Sequence, residues 1–254
     1  MYPLLALSDQ LQIPTYFVVI SFVCCLTMYW FWKRAIKRDM NPHFALDLSM
    51  VIFGSGFLGA RLLHVIWEAP TFYWEHPLEI FNLFAGGYVY LGGLAASVAA
   101  TYYYCKIKNE IFLNWADLLA PVCALGYGLG RLACFARGCC YGKACSLPWA
   151  VSFTSHESMG VLLIPRHPTQ LYAVLIELSI TAYLLWRERR AHVPGEIFLN
   201  WIILHGWARL TLEIFRDDDR GFAPLGLSLA TWIAVAMIAV ATFALAKFKQ
   251  SRVK

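Results

Sequence analysis

The sequence comprises 254 residues, of which 59% are hydrophobic and 15% charged, with a formal net charge of +5. A soluble domain carries about 25% charged residues, so the composition excludes an ordinary water-soluble protein; the mean hydropathy of +0.56 points to a chain embedded in lipid. The positive charge does not indicate nucleic acid, because the basic residues fall in the connections between apolar runs.

A helical span needs about 20 mainly apolar residues, and helices keep every backbone amide satisfied inside hydrocarbon. Seven such segments occur, at roughly 15–32, 47–67, 88–105, 116–135, 168–186, 197–215 and 227–247. The expected fold is an all-α polytopic membrane protein of about seven transmembrane helices, a single integral domain over 1–254 with an outer-face loop at about 136–167.

The first segment opens with Tyr16 in PTYF and is followed by Lys33, Arg34, Lys37 and Arg38. No cleavable signal is expected, because the first 14 residues lack a charged n-region and the span is too long. The second segment carries Arg61 about two turns from its far end. The third opens in GGYVYLGG, with Gly92 and Gly93, and closes on Lys106 and Lys108. The fourth runs into GLGRLACFARGCCYG, which contains Arg131, Cys134, Gly138, Cys139, Cys140 and Gly142. PRHPTQLY precedes the fifth, which ends at Arg187, Arg189 and Arg190. The sixth holds His205, Arg209 and Glu213, and Lys247, Lys249, Arg252 and Lys254 close the seventh. Most of the 21 basic residues thus share one side. The positive-inside rule makes that side cytoplasmic, with the N-terminus outside and the C-terminus inside. Trp30, Trp32, Trp115, Trp186 and Trp201 fall near the inner boundary, as an aromatic belt would. The run Asp217-Asp218-Asp219 reads as a solvated outer loop.

Arg61, Arg131 and Arg209 are left at similar depth beneath the outer surface. A charge at bilayer depth costs at least ~2.5–3.5 kcal/mol and usually faces a cavity with a partner. Together they suggest a pocket for an anion such as a lipid phosphate, which guanidinium grips in bidentate fashion. The alternative is that each is a structural pair or snorkels to the headgroups; Glu213, one turn after Arg209, offers such a pair. His205 reads as a satisfied core histidine.

These motifs resemble, in order along nearly the whole chain, those of the prolipoprotein diacylglyceryl transferase family. Tyr16 matches a tyrosine opening the first span. GFLGARLLHV and GGYVYLGGLAA are similar to the second span and third-span entry. GLGRLACFARGCCYG occupies the signature position, with Arg131 on its essential arginine and Gly142 on its last glycine. PRHPTQLY and WARLTLEIFRDDD match further motifs, the latter at Arg209, Glu213 and Arg216. Four positions depart from the pattern: Leu91 replaces a histidine, Cys134 an asparagine, and Cys139 and Ala173 a glutamate each.

The resemblance implies a bacterial inner-membrane transferase, its site facing the outer leaflet. It would move a diacylglyceryl group from phosphatidylglycerol to the lipobox cysteine of an exported prolipoprotein, without a cofactor. Arg131, Arg209, Glu213 and Cys139 would be catalytic. Tyr16, Arg61, Gly92, Gly93, Cys134, Gly138, Gly142, His167, Gln170 and Arg216 would bind substrate, the glycines by letting backbone approach the headgroup. For the thiols three readings stand. Cys139 or Cys140 reacts directly, its thiolate favoured by Arg131 and Arg137. Alternatively, Cys134 or Cys145 forms a disulfide with one of them, or Cys134, Cys139, Cys140 and Cys145 hold a metal at a spacing that is not a standard zinc pattern. A paralogous transferase acting on another acceptor, through a Cys139 intermediate, and a non-catalytic lipid-binding or transport protein are the alternative functions.

Overall fold

A computed structural model of the chain describes residues 4–8, 11–82, 86–153, 164–216 and 228–251. The acidic run at 217–219 lies outside the described residues. An antiparallel hairpin of β1 (Leu4–Ser8) and β2 (Leu11–Pro14), not expected from the sequence, leads directly into the first helix. The helices are α1 (Thr15–Lys37), α2 (Pro42–Leu63), a short α3 (Pro70–Glu75), α4 (Tyr90–Ile107), α5 (Phe112–Arg137), α6 (Thr169–Arg187), α7 (Glu196–Ile214) and α8 (Leu229–Ser251). The seven long ones fall on the seven apolar segments. Among the described residues, five stretches are long and apolar enough to cross a membrane: Thr15–Lys37, Pro42–Glu68, Phe112–Arg137, Thr169–Arg187 and Leu229–Phe248. α4 is diluted by glycine and tyrosine, and α7 by Asn200, His205, Arg209 and Glu213. Large apolar side chains such as Phe22, Leu175, Val240 and Phe243 are exposed along the spans, an arrangement stable only against lipid. The protein is thus an all-α polytopic membrane protein.

The chain forms two compact units, one of residues 31–115 and one of residues 1–30 with 116–254. In the first unit, α2 begins at Asn41, whose side chain accepts from the amides of His43 and Phe44, with Pro42 in the first helical turn. Trp115 is corrected from the expected belt. It is buried against Phe31 and Phe44, and its Nε1 donates to Glu110 at 3.0 Å. α2 and α4 meet through glycine. A Cβ on Gly92 would lie 2.3 Å from the Gly59 carbonyl oxygen, and one on Gly93 would lie 2.8 Å from that of Gly56. Such small residues let helix backbones approach where lipid supplies no hydrophobic drive between helices. Ser97 Oγ adds an interhelical bond to the Ile52 carbonyl at 3.1 Å. Gly92 and Gly93 therefore serve helix packing.

In the second unit, Asp117 on α5 accepts from the amides of Gly195 and Phe198, both at 2.8 Å, and so caps the start of α7. Glu196 in that first turn pairs with Arg187 at the end of α6. Ala120, Ala124, Ile180, Leu184, Ile197 and Ala208 form the apolar core between these helices. Gly206 admits Ile238 of α8, whose Cγ1 would be 2.6 Å from an added Cβ.

The α2–α4 contact predicts that Gly92→Ala lowers thermal stability in detergent, by about 1–3 kcal/mol, as overpacking does. Gly54→Ala, where an added Cβ meets nothing within 4 Å, should be neutral or stabilise by up to about 1 kcal/mol. Equal melting of the two variants would overturn this account of the helix pair.

Candidate functional site

α5, α6 and α7 bring three arginines to one recess of about 270 Å³, counted to its open mouth. Its walls are Tyr127 and Arg131 from α5, Cys140 from the turn after it, Thr169, Gln170 and Ala173 from the start of α6, Arg209 and Leu212 from α7, and Arg216 just beyond. Tyr127 and Arg131 are four residues apart and share a helix face. The tyrosine ring lies 4.6 Å from the Arg131 guanidinium carbon, and its hydroxyl accepts from Arg131 Nη2. Arg209 forms the expected ion pair with Glu213, which also accepts from Ser228 Oγ. The other terminal nitrogen of Arg209, Nη2, is buried with no hydrogen-bond acceptor among the described residues. An unmet buried guanidinium N–H is costly unless an anion meets it.

A tightly folded turn contributes Cys140 to the wall of the recess. Gly138, with a φ of +78°, ends α5, and its amide and that of Cys139 both return to the Cys134 carbonyl. Gly142 lies where three segments converge: a Cβ there would be 2.3 Å from the Phe215 carbonyl and 3.0 Å from the His167 Cβ. Both glycines are thus needed for the turn's own path. Gln170 Nε2 and Thr169 Oγ1 donate to the carbonyls of Cys139 and Cys140 at 2.6 and 2.8 Å. Gln170 Oε1 is buried without a partner among the described residues.

The structure separates the other expected residues by environment. His167 lies among aromatic rings, its Nδ1 3.0 Å from the Tyr172 hydroxyl and its ring 5.2 Å from that of Phe215. Tyr16 lies under the Arg137 guanidinium, 5.8 Å from its ring centre. Neither lines the recess. Arg61 is engaged within the unit of residues 31–115. Its guanidinium donates to the carbonyls of Glu79, Ile80, Asn82, Gly86 and Gly87 and packs over Tyr73 and Tyr88. Those acceptors satisfy the N–H groups that a phosphate would need. Arg61 fastens the connection between α2 and α4.

The sequence reading missed Glu177. It is buried on α6 and meets His205 Nδ1 at 2.5 Å, and His205 in turn packs edge-on to Tyr127 at 4.6 Å. His205 is satisfied, as expected. A glutamate inside LYAVLIELSI was itself a signal, since a carboxylate in a span needs a polar neighbour.

All eight cysteines are free. The Sγ atoms of Cys134, Cys139 and Cys140 lie within 4.8 Å of one another, Cys139 and Cys140 at 3.7 Å; Cys145 stands apart from this group. Hydrogen bonding shared with Cys134 and Cys139 pulls the Cys140 thiol below its ordinary pKa, with Arg131 and Arg216 adding to the effect. The same sharing, with burial, pushes Cys139 up.

Comparison with known proteins agrees with the motifs. The family model described as prolipoprotein diacylglyceryl transferase matches residues 3–247. Three proteins named phosphatidylglycerol–prolipoprotein diacylglyceryl transferase are similar. That of Clostridium tetani is 34% identical over 211 residues, 83% of each chain. That of Idiomarina loihiensis is 31% identical over 238 residues, 91% of this chain and 87% of its own. That of Paracidovorax citrulli is 35% identical over 215 residues, 82% of this chain and 74% of its own.

The thiol arrangement predicts a pH profile. An ordinary cysteine, with a pKa of about 8.5, is only ~0.3% thiolate at pH 6. With its pKa lowered, Cys140 keeps its thiolate as pH falls, until the lowered value is passed. Alkylation by iodoacetamide, located by mass spectrometry, should stay nearly level at Cys140 from pH 8 to 6 and be slow at Cys139. A tenfold fall per pH unit at Cys140 would contradict the arrangement.

Proposed function

The chain belongs to the prolipoprotein diacylglyceryl transferase family, and from that premise we propose that it moves a diacylglyceryl group from phosphatidylglycerol to the lipobox cysteine thiol of an exported prolipoprotein. The recess binds the phosphate, and the observation that carries this is Arg209, whose buried Nη2 lacks an acceptor beside Arg131 and Arg216. Glu213 and Tyr127 fix the directions of the first two guanidiniums.

The incoming sulfur attacks the glycerol carbon that bears the phosphate ester. A C–S bond forms as that C–O bond breaks, and glycerol phosphate departs carrying the thiol's proton. Negative charge builds on the departing phosphate oxygen, so donors aimed there lower the barrier more than they tighten binding. Alignment of the two substrates at the lipid boundary supplies the remaining advantage. Gln170, with an unmet Oε1, offers an acceptor to a glycerol hydroxyl of the headgroup. Direct transfer is favoured over a route through Cys139. That route would form a thioether, whose carbon–sulfur bond breaks poorly, on the thiol that its neighbours hold protonated. The enzyme sits in a bacterial cytoplasmic membrane with the recess towards the outer leaflet, the N-terminus outside and seven helices spanning.

Incubation of the purified protein in detergent with phosphatidylglycerol and a lipobox peptide should give a diacylglyceryl-modified peptide by mass spectrometry. Arg131→Ala and Arg209→Ala should each lower turnover by about 10²–10³-fold, as loss of one oxyanion donor does. Absence of product from folded wild type, or full activity in both variants, would sink this reading.

A further inference from the structure

We propose that Cys134, Cys139 and Cys140 form a three-thiolate site for a soft, thiophilic metal ion of the zinc(II) or copper(I) kind. Three observations carry it. First, the geometry is near that of a metal site. Zinc–sulfur bonds of about 2.3 Å place thiolates about 3.8 Å apart in a tetrahedral centre and about 4.0 Å apart in a trigonal one. Here one pair lies at 3.7 Å and all three Sγ atoms fall within 4.8 Å, so closure on an ion needs a change of no more than about an ångström.

Second, the turn that holds the thiols is set by contacts to main-chain groups, and the Cys139 thiol meets the Cys134 carbonyl at 3.7 Å as well as the Cys140 thiol. The Cys139 and Cys140 carbonyls are held by Gln170 and Thr169, and the amides of Gly138 and Cys139 by the Cys134 carbonyl. Cys140 is held at a φ of +64°, a region that non-glycine residues seldom occupy. That conformation points to a local requirement, and strain of this kind collects at functional positions. The same backbone disfavours the competing fate, a bond between the adjacent Cys139 and Cys140, which would close a small ring. The thiols are half-buried, so an ion can reach them.

Third, the charge balance fits. Three thiolates around zinc(II) carry a net single negative charge, and around copper(I) a double one. Arg131 and Arg216 line the recess together with Cys140 and offset that charge. Thiolate ligands select such soft ions over magnesium or calcium. Binding releases the thiol protons to solvent. The fourth position is left for water or another small ligand. The ligands are the thiols alone, so the site holds whether or not the chain catalyses transfer.

Cadmium(II) is the probe, added to the reduced, detergent-solubilised protein and followed by its thiolate charge-transfer absorption in the ultraviolet. Wild type should bind one equivalent with the intensity of three thiolates. Cys134→Ser, Cys139→Ser and Cys140→Ser should each weaken binding by more than the ~10-fold that loss of an outer partner costs, while Cys145→Ser binds as wild type does. Unmutated protein gives a second readout: cadmium should shield Cys134, Cys139 and Cys140, but not Cys145, from alkylation. Binding that survives in the triple serine variant would overturn the proposal. So would equal alkylation with and without the ion, or a disulfide joining two of the three in protein isolated without reductant.

Discussion

Guanidinium groups repel one another, and Arg131, Arg209 and Arg216 share the wall of one small recess. Two like charges a few ångströms apart in a medium of intermediate dielectric repel by a few kcal/mol. Much of the second unit can be understood as a response to that constraint. Glu213 lies one turn beyond Arg209, and the face and hydroxyl of Tyr127 lie against Arg131. Behind Tyr127, the His205–Glu177 pair keeps a polar contact inside an otherwise apolar bundle. The repulsion that remains is the electrostatic basis of the phosphate-binding role proposed for the recess.

The lipid boundary shaped how much of this could be read from the sequence. Inside hydrocarbon a helix is the only economical backbone, so runs such as 15–32 and 116–135 announced α1 and α5 with little ambiguity. Arg131 and Arg209 stood out for a related reason, since a charge near a span has few innocent explanations, whereas Arg216 was marked only by the family motif. Which arginines would meet was not legible. Arg61 and Arg131 have the same kind of neighbours in sequence, glycines and leucines, yet one reaches carbonyls of a distant connection and the other a tyrosine on its own helix. That difference is decided by tertiary contacts across 18 or more residues, and periodicity carries no information about them.

The glycines show the same limit. Gly92, Gly138 and Gly142 look alike in sequence, as small residues near a polar motif. In the structure they do three different things: close helix approach, a helix end, and the crossing of three segments. The thiols are legible only in part. The spacing of Cys134, Cys139 and Cys140 gains its meaning from the end of α5, where the turn at Gly138 folds the last two back onto the first.

The clasp made by Arg61 carries an implication for how this protein can vary. All five of its acceptors are main-chain carbonyls, between Glu79 and Gly87. A main-chain carbonyl is offered by every amino acid, so most side chains in the fastened connection are free to drift without loosening it. Tyr73 and Tyr88, over which Arg61 packs, are exceptions, and so are Gly86 and Gly87, since both take a positive φ, and a Cβ on Gly87 would lie 2.4 Å from the His64 ring. The connection can therefore diversify in the composition of its surface, which includes the exposed Trp74, Leu78 and Phe81, while Arg61, the tyrosines it packs over and two glycines hold its described parts in place.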